Sequence, residues 1–471
     1  LRHLSTRGEA AGTSFSDVLL AGLARDGGLY VPESWPVLPA HEIADIAGQS
    51  FGSAASTVLA KFVGDEIVAP VLVDMTRSAY ATFRHPAVCP IVQIDDNLFI
   101  LELFHGPTLA FKDVAMQILA RMMDHALGQR GERATIVGAT SGDTGSAAIE
   151  AFGGLDQVDI FILYPHGRVS EVQRRQMTTV GAHNVHAIAI EGTFDDCQAL
   201  VKGMFNHHAF REELRLSGVN SINWARIAAQ VTYYFTAGVS LGAPHRKVSF
   251  SVPTGNFGDI LAGWVAKRMG LPIDRLVIAT NVNDILSRTL SSGRYEVRDV
   301  EHTTSPSMDI QVSSNFERLL FEAHDRDASA IRRLMAGLGQ SGAFEIEAGP
   351  LARIRQEFDA FRTTEDETAR LIQHYRREAG YLLDPHTAVG VGAALERQRI
   401  DSRVPMVVLG TAHPAKFPDA VERACGERPA LPEHLADLYA RREHTSVLPA
   451  DQAGLEAFIR ARSRVLAGAA R

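Results

Sequence analysis

The sequence predicts an α/β fold of mostly parallel sheets flanked by helices, on three observations. From residue 98 onward, short apolar, β-branched runs recur at 135–137, 158–164, 185–190, 248–252, 276–279 and 406–409. Nearly every run leads into a glycine-rich or polar loop and then a helical pattern. The runs are apolar throughout rather than alternating, as strands are when crossover helices cover both faces of a sheet. In such sheets ligands bind outside the carboxyl ends of the strands, so the loops after these runs are where chemistry is expected.

Taken in order, residues 1–97 read as a separate, largely helical N-terminal unit. Residues 14–23 suggest a short helix, and Asp26-Gly27-Gly28-Leu29-Tyr30-Val31-Pro32 is a turn into an extended segment. Residues 41–62 are helix-like, and 88–94 suit a strand. The second region, 98–471, opens with a strand at 98–104 and a helix at 113–126. Its tail, 432–471, sets Leu455, Phe458, Ile459 and Arg462 at helical spacing and reads as a packing helix.

Composition narrows the function classes. A chain of 471 residues exceeds one compact core, and 46% hydrophobic with 22% charged residues is ordinary for a globular protein. The net charge of −8 argues against a general nucleic-acid binder. No apolar run is long enough to cross a bilayer, and residues 1–10 lack the apolar core of a signal peptide. Cys89, Cys197 and Cys425 lie far apart and make neither a disulfide framework nor a metal cluster. Asp195 and Asp196 suit a helix start rather than a metal site. A cytoplasmic enzyme without a metal fits these observations.

The loop richest in chemistry is His105-Gly106-Pro107-Thr108-Leu109-Ala110-Phe111-Lys112-Asp113. It sets a lysine between a strand and a helix, among apolar neighbours that could strip its proton and make it a nucleophile. A surface lysine at a helix start is the plain alternative. After the run at 135–137 comes Gly138-Ala139-Thr140-Ser141-Gly142-Asp143-Thr144-Gly145, small residues before a helix whose free N–H groups suit a carboxylate or phosphate. An ordinary helix cap reads equally well. Pro253-Thr254-Gly255-Asn256-Phe257-Gly258-Asp259 brackets another helix start with glycines, as a phosphate cup requires, and its spacing disfavours a dinucleotide. Thr411, after 406–409, could meet a ring nitrogen or merely cap a helix. His413 and Lys416 suit the rim of a pocket. Arg168 is shaped for bidentate phosphate recognition, and a surface ion pair explains it as well. Asn223 and Arg226, in Ser221-Ile222-Asn223-Trp224-Ala225-Arg226, are either substrate contacts or packing groups at a helix end.

Together these segments resemble the threonine synthase family, in its bacterial and fungal class, within the tryptophan-synthase-like pyridoxal-phosphate enzymes of fold type II. The resemblance extends to Ser5-Thr6-Arg7-Gly8, Asp26 to Tyr30, Ser305-Pro306-Ser307-Met308-Asp309, Asp384-Pro385-His386-Thr387-Ala388 and Thr411 to Lys416, in family order. It implies two α/β subdomains with the active site between them, pyridoxal 5'-phosphate as cofactor, and Lys112 as the lysine that binds it covalently. It implies cofactor contacts from Asp143, Gly255, Asn256, Phe257, Gly258, Asp259 and Thr411. Substrate contacts fall to Thr108, Thr140, Ser141, Thr144, Arg168, Asn223 and Arg226, with Arg168 first in line for the leaving phosphate. The implied reaction is conversion of O-phospho-L-homoserine and water to L-threonine and phosphate, a carbon–oxygen lyase step that ends threonine biosynthesis, by a monomer. A phospho-lyase releasing 2-oxobutyrate and ammonia, or a cofactor-binding protein that has lost catalysis, would share most of these residues.

Overall fold

Two sheets, parallel but for one edge strand, organise the molecule, and segments that follow their strands meet at Lys112 and Asp143. The computed structural model describes residues 1–466. The larger sheet has six strands in the order Phe358–Arg362, Ile273–Thr280, Val248–Pro253, Met406–Gly410, Leu98–Glu102 and Ile91–Asp95, parallel except for the last. The smaller has five parallel strands in the order Ser446–Pro449, Val185–Glu191, Val158–Pro165, Ala134–Ala139 and Leu216–Ser217. Val158–Pro165 and Val248–Pro253 are buried along their whole length, which is why they read as unbroken apolar runs.

Several elements differ from the sequence expectation. The helical pattern at 41–62 divides into Ala40–Asp45 and Phe51–Val63, with Ser50 capping the second through a bond from the Ser53 amide. The strand expected at 88–94 is the antiparallel edge strand Ile91–Asp95, so the large sheet reaches into the N-terminal region. In the tail, the helix Gln452–Arg460 holds Leu455 and Ile459 against the small sheet, while Arg462 lies beyond it. Ahead of that helix, Ser446–Pro449 adds an edge strand to the small sheet. Tail residues 467–471, which the sequence reading placed with the packing helix, lie outside the described residues.

The N-terminal unit is bolted to the large-sheet region. His3–Ser5 pairs with Tyr30–Pro32, and Asp26 accepts from the Ser5 hydroxyl and the Gly28 amide, each at 2.8 Å. Glu317 takes the Thr6 hydroxyl at 2.6 Å and the Arg7 guanidinium at 2.9 Å. The wholly buried Trp224 meets Phe62, Trp35 and His3 ring to ring and lies beneath the Arg318 guanidinium. Trp224→Ala should therefore cost about 3–5 kcal/mol in a urea titration. A loss below about 1 kcal/mol would mean that the N-terminal helices are held by something else.

Candidate active site

Ends of adjacent strands bring the predicted loops together. The segments after Val248–Pro253, Met406–Gly410 and Leu98–Glu102 are neighbours in the large sheet, and they carry Gly255, Thr411 and Lys112. The segment after Ala134–Ala139 carries Asp143 from the small sheet. Backbone bonds fix the approach: the Phe111 amide donates to the Thr411 carbonyl at 2.9 Å, and that of His413 to Leu109 at 3.0 Å.

Lys112 is the first residue of the helix Lys112–Arg130, its side chain 11% exposed. Its amine has one ionic partner, Asp143 Oδ2, at a long 3.5 Å. Burial lowers its pKa; Asp143 opposes the shift, while the nearby Lys416 and Arg226 charges add to it. Asp143 is the hub of the site. Its Oδ1 accepts from Lys416 Nζ at 2.8 Å and Gln173 Nε2 at 2.9 Å, and Ser307 Oγ stands 3.4 Å from Oδ2. Burial alone would raise its pKa, but the two lysine charges and these bonds hold it well below the usual carboxylate range.

The anion-binding loops are built as their glycines require. Gly142 has φ of 146°, and a Cβ there would lie within the Gln173 side chain. The buried Thr140 hydroxyl accepts from the amides of Gly142 at 3.0 Å and Gly145 at 2.9 Å, shaping the loop from inside. Ser141 is exposed, and Thr144 half-buried in the first turn of the helix Asp143–Phe152. In the second loop a Cβ on Gly255 would come 2.8 Å from the Ser307 carbonyl. Phe257 is held left-handed at φ of 63° before the helix Gly258–Arg268, and Asn256 receives the Asn315 amide at 3.0 Å through its carbonyl. Thr411 is buried, and its hydroxyl has no protein partner among the described residues.

Other predicted residues are turned to different tasks. The Asp259 carboxyl faces Tyr233 and Tyr234 rather than the glycine cup, and its Oδ2 is buried without a partner. The Thr108 hydroxyl donates to Asp113 Oδ1 at 2.7 Å. Asn223 caps the helix Trp224–Ser240 through its carbonyl and donates to Leu19 O at 2.9 Å. Arg168 lies exposed on its loop, without an ion pair among the described residues. Arg226, by contrast, is buried, and among the described residues no carboxylate lies against it. Its one bond runs to Val219 O at 3.1 Å, its Nε is unpaired, and burial pushes its pKa down to about 10.

Four contributors were missed or misplaced by the sequence reading. Lys416, expected at a pocket rim, is fully buried and central. Gln173 and Gln176, three apart on the helix Glu171–Thr178, show one face to Asp143 and Lys416, a spacing that could have flagged them. Ser307 stood in a recognised segment, but nothing in its spacing linked it to Asp143. Among the described residues no cluster of three or more His, Cys, Asp or Glu is arranged to hold a metal.

A weakly paired buried amine, two glycine-lined helix starts, an open hydroxyl at a strand end and a buried unpaired guanidinium suit a phosphorylated carbonyl cofactor. Comparisons with known proteins agree. Residues 2–80 match the family described as Threonine synthase N terminus, 86–411 Pyridoxal-phosphate dependent enzyme, and 387–459 Threonine synthase, C-terminal. A threonine synthase of Pseudomonas aeruginosa is 54% identical, covering 98% of each chain. A crystal structure of PLP-bound threonine synthase from Brucella melitensis superposes with a TM-score of 0.96 at 65% identity, covering 98% of this chain and 99% of that one. The yeast threonine synthase structure gives 0.93 at 40% identity, with 98% of both chains covered.

Asp259 yields a pH prediction. Burial raises its pKa from 3.8 to about 7, against the hydrogen bonds of Tyr233 and Tyr234. A carboxyl whose folded pKa is raised favours the folded state while protonated, so stability falls as pH climbs from about 4 to about 7, by up to about 4 kcal/mol. Asp259→Asn should flatten that decline in denaturant titrations across this range. An unchanged slope would mean that Asp259 is ionised in the folded protein.

Proposed function

The chain belongs to the threonine synthase family of pyridoxal-phosphate-dependent enzymes, and on that premise we propose how its residues divide the work. The reaction is conversion of O-phospho-L-homoserine and water to L-threonine and phosphate. The observation that carries the assignment is Lys112, a buried amine whose one ionic contact is long, among loops shaped for anions.

Lys112 would hold the cofactor through its amine, and the same amine would serve as the base for the α-carbon proton and then the β-carbon proton. Pyridoxal phosphate, when bound, supplies the electron sink for the charge left on carbon. Backbone N–H groups of Gly255 to Asp259 would hold its phosphate, and the Thr411 hydroxyl would be offered to its ring nitrogen. Asp143, held ionised beside Lys112, would meet the cofactor at the end that Lys112 binds. Thr140, Ser141 and Thr144 form the loop for the substrate carboxylate, Thr140 by setting its shape.

We assign the leaving phosphate to Arg226 rather than Arg168, because a buried guanidinium with an unpaired Nε requires an anion and an exposed arginine does not. Thr108 and Asn223 act by positioning, given the bonds that already occupy them. Residues 1–97 then serve as a supporting unit and 98–471 as the catalytic region. A monomeric, cytoplasmic enzyme is part of the same proposal and rests on family resemblance. No helix among the described residues is long and apolar enough to cross a membrane.

Incubation with O-phospho-L-homoserine should release threonine and phosphate one for one; 2-oxobutyrate in place of threonine would make the chain a lyase on the same scaffold. Lys112→Ala should abolish turnover together with borohydride-trappable cofactor. Arg226→Gln should raise KM for the phosphorylated substrate at least tenfold, about 1.4 kcal/mol of lost binding, while Arg168→Ala changes it less than about twofold. The reverse ranking would return the phosphate to Arg168.

A further inference from the structure

Lys416 is not needed as a nucleophile or an acid, yet its geometry is the most constrained in the site. It lies in the turn Pro414–Lys416 with a side-chain exposure of 0%. Its three N–H donors meet three acceptors: Thr108 O at 2.7 Å, Asp143 Oδ1 at 2.8 Å and Gln176 Oε1 at 3.1 Å. Those acceptors come from the loop before Lys112, from the first turn of Asp143–Phe152 and from the helix Glu171–Thr178. An amine so buried, with every donor met, is fixed in place.

The Asp143 carboxylate is correspondingly asymmetric. Oδ1 is committed to Lys416 and Gln173 by short bonds, while Oδ2 has only the 3.5 Å contact to Lys112 and the 3.4 Å contact to Ser307. We propose that Lys416 is a positioning residue that pins Asp143 away from Lys112, leaving the Lys112 amine loosely paired and free to react with the cofactor's carbonyl. This rests on Lys112 being the reacting amine. With Lys416 neutralised, Asp143 closes on Lys112 and holds its proton in a tight pair.

The groups that bear on the Lys112 proton are Asp143, Lys416 and Arg226. Asp113, the next residue, has its carboxyl bound back to Thr108, and His386 stands behind Ser307 through a 3.3 Å bond from the Ser307 amide. Neither changes in the variants below. Removing the Lys416 charge deletes a group that lowers the proton affinity of Lys112, and removing the Asp143 charge deletes the one that raises it. The two substitutions therefore act in opposite directions.

The test uses the full-length protein freed of cofactor. Pyridoxal phosphate uptake is followed against pH, trapped with borohydride and mapped to its peptide, in wild type, Lys416→Gln and Asp143→Asn. Lys416→Gln keeps a donor of similar length without the charge. It should move the midpoint of uptake up by about one pH unit and slow uptake near neutrality about tenfold. Asp143→Asn should move the midpoint down. A purely structural lysine would lower the rate at every pH with the midpoint in place, and that result overturns the proposal while leaving Lys112 as the labelled residue. Label on another lysine overturns the Lys112 assignment itself. If far-UV circular dichroism shows that Lys416→Gln does not fold, Asp143→Asn decides, and a midpoint that stays or rises overturns the proposal.

Discussion

Asp143 lies buried between the amines of Lys112 and Lys416, whose charges offset the cost of burying its carboxylate. The pair contacts are unequal, one short and saturated, one long. Because Lys112 follows a strand of the large sheet and Asp143 a strand of the small one, this carboxylate also joins the two halves of the molecule. The helix Glu171–Thr178 completes the join from the small-sheet side, through Gln173 on Asp143 and Gln176 on Lys416. That helix is in turn anchored by the tail, where Glu443 accepts from Thr178 Oγ1 at 2.7 Å and pairs with Arg174. A segment far from Lys112 in sequence thus steadies the groups that set its charge.

The N-terminal unit reaches the same site by a different route. Glu317 binds Thr6 and Arg7, and Arg318 donates to the carbonyls of Tyr30 and Ile222. The neighbouring Asn315 holds the Asn256 carbonyl inside the glycine-bracketed loop. Asn223 ties the start of the helix that bears Arg226 to Leu19. These bonds give the Ser5 to Gly8 and Asp26 to Tyr30 segments a structural task, holding the N-terminal strands to the Glu317 and Arg318 side chains.

What was legible in the sequence was whatever is local. Apolar strands such as Val158–Pro165 announce themselves because burial on both faces leaves no alternation, and glycine-bracketed helix starts carry their own signature. The strand Phe358–Arg362 escaped because only Phe358 is fully buried, so its composition resembles a loop. Ser446–Pro449 escaped because an edge strand with alternate exposure needs its neighbour Val185–Glu191 to define it. Within the site, Lys112, Asp143 and Thr411 could be read from their loops. The direction of a side chain could not: Asp259 turns inward to two tyrosines and Thr108 to Asp113, and both facts depend on residues distant in the chain or hidden by the turn.

Charge accounting is what favours Arg226 over Arg168 in the proposed phosphate assignment. Around Lys112 stand two further cations, Lys416 and Arg226, and one fixed anion, Asp143. The nearby acids Asp113 and Asp259 pair with none of these cations among the described residues, because Asp113 is turned to Thr108 and Asp259 to Tyr233 and Tyr234. Lys416 is fully engaged with Asp143, so the uncompensated charge resides on Arg226, with its unpaired Nε in a low-dielectric setting. Keeping such a guanidinium desolvated and unpaired lowers stability in the empty protein, and only an arriving anion recovers that loss. An exposed arginine carries no such debt and gains little from the same ligand. On that proposal the attraction for phosphate is local to the buried Arg226, although the protein as a whole is acidic, with a net charge of −8.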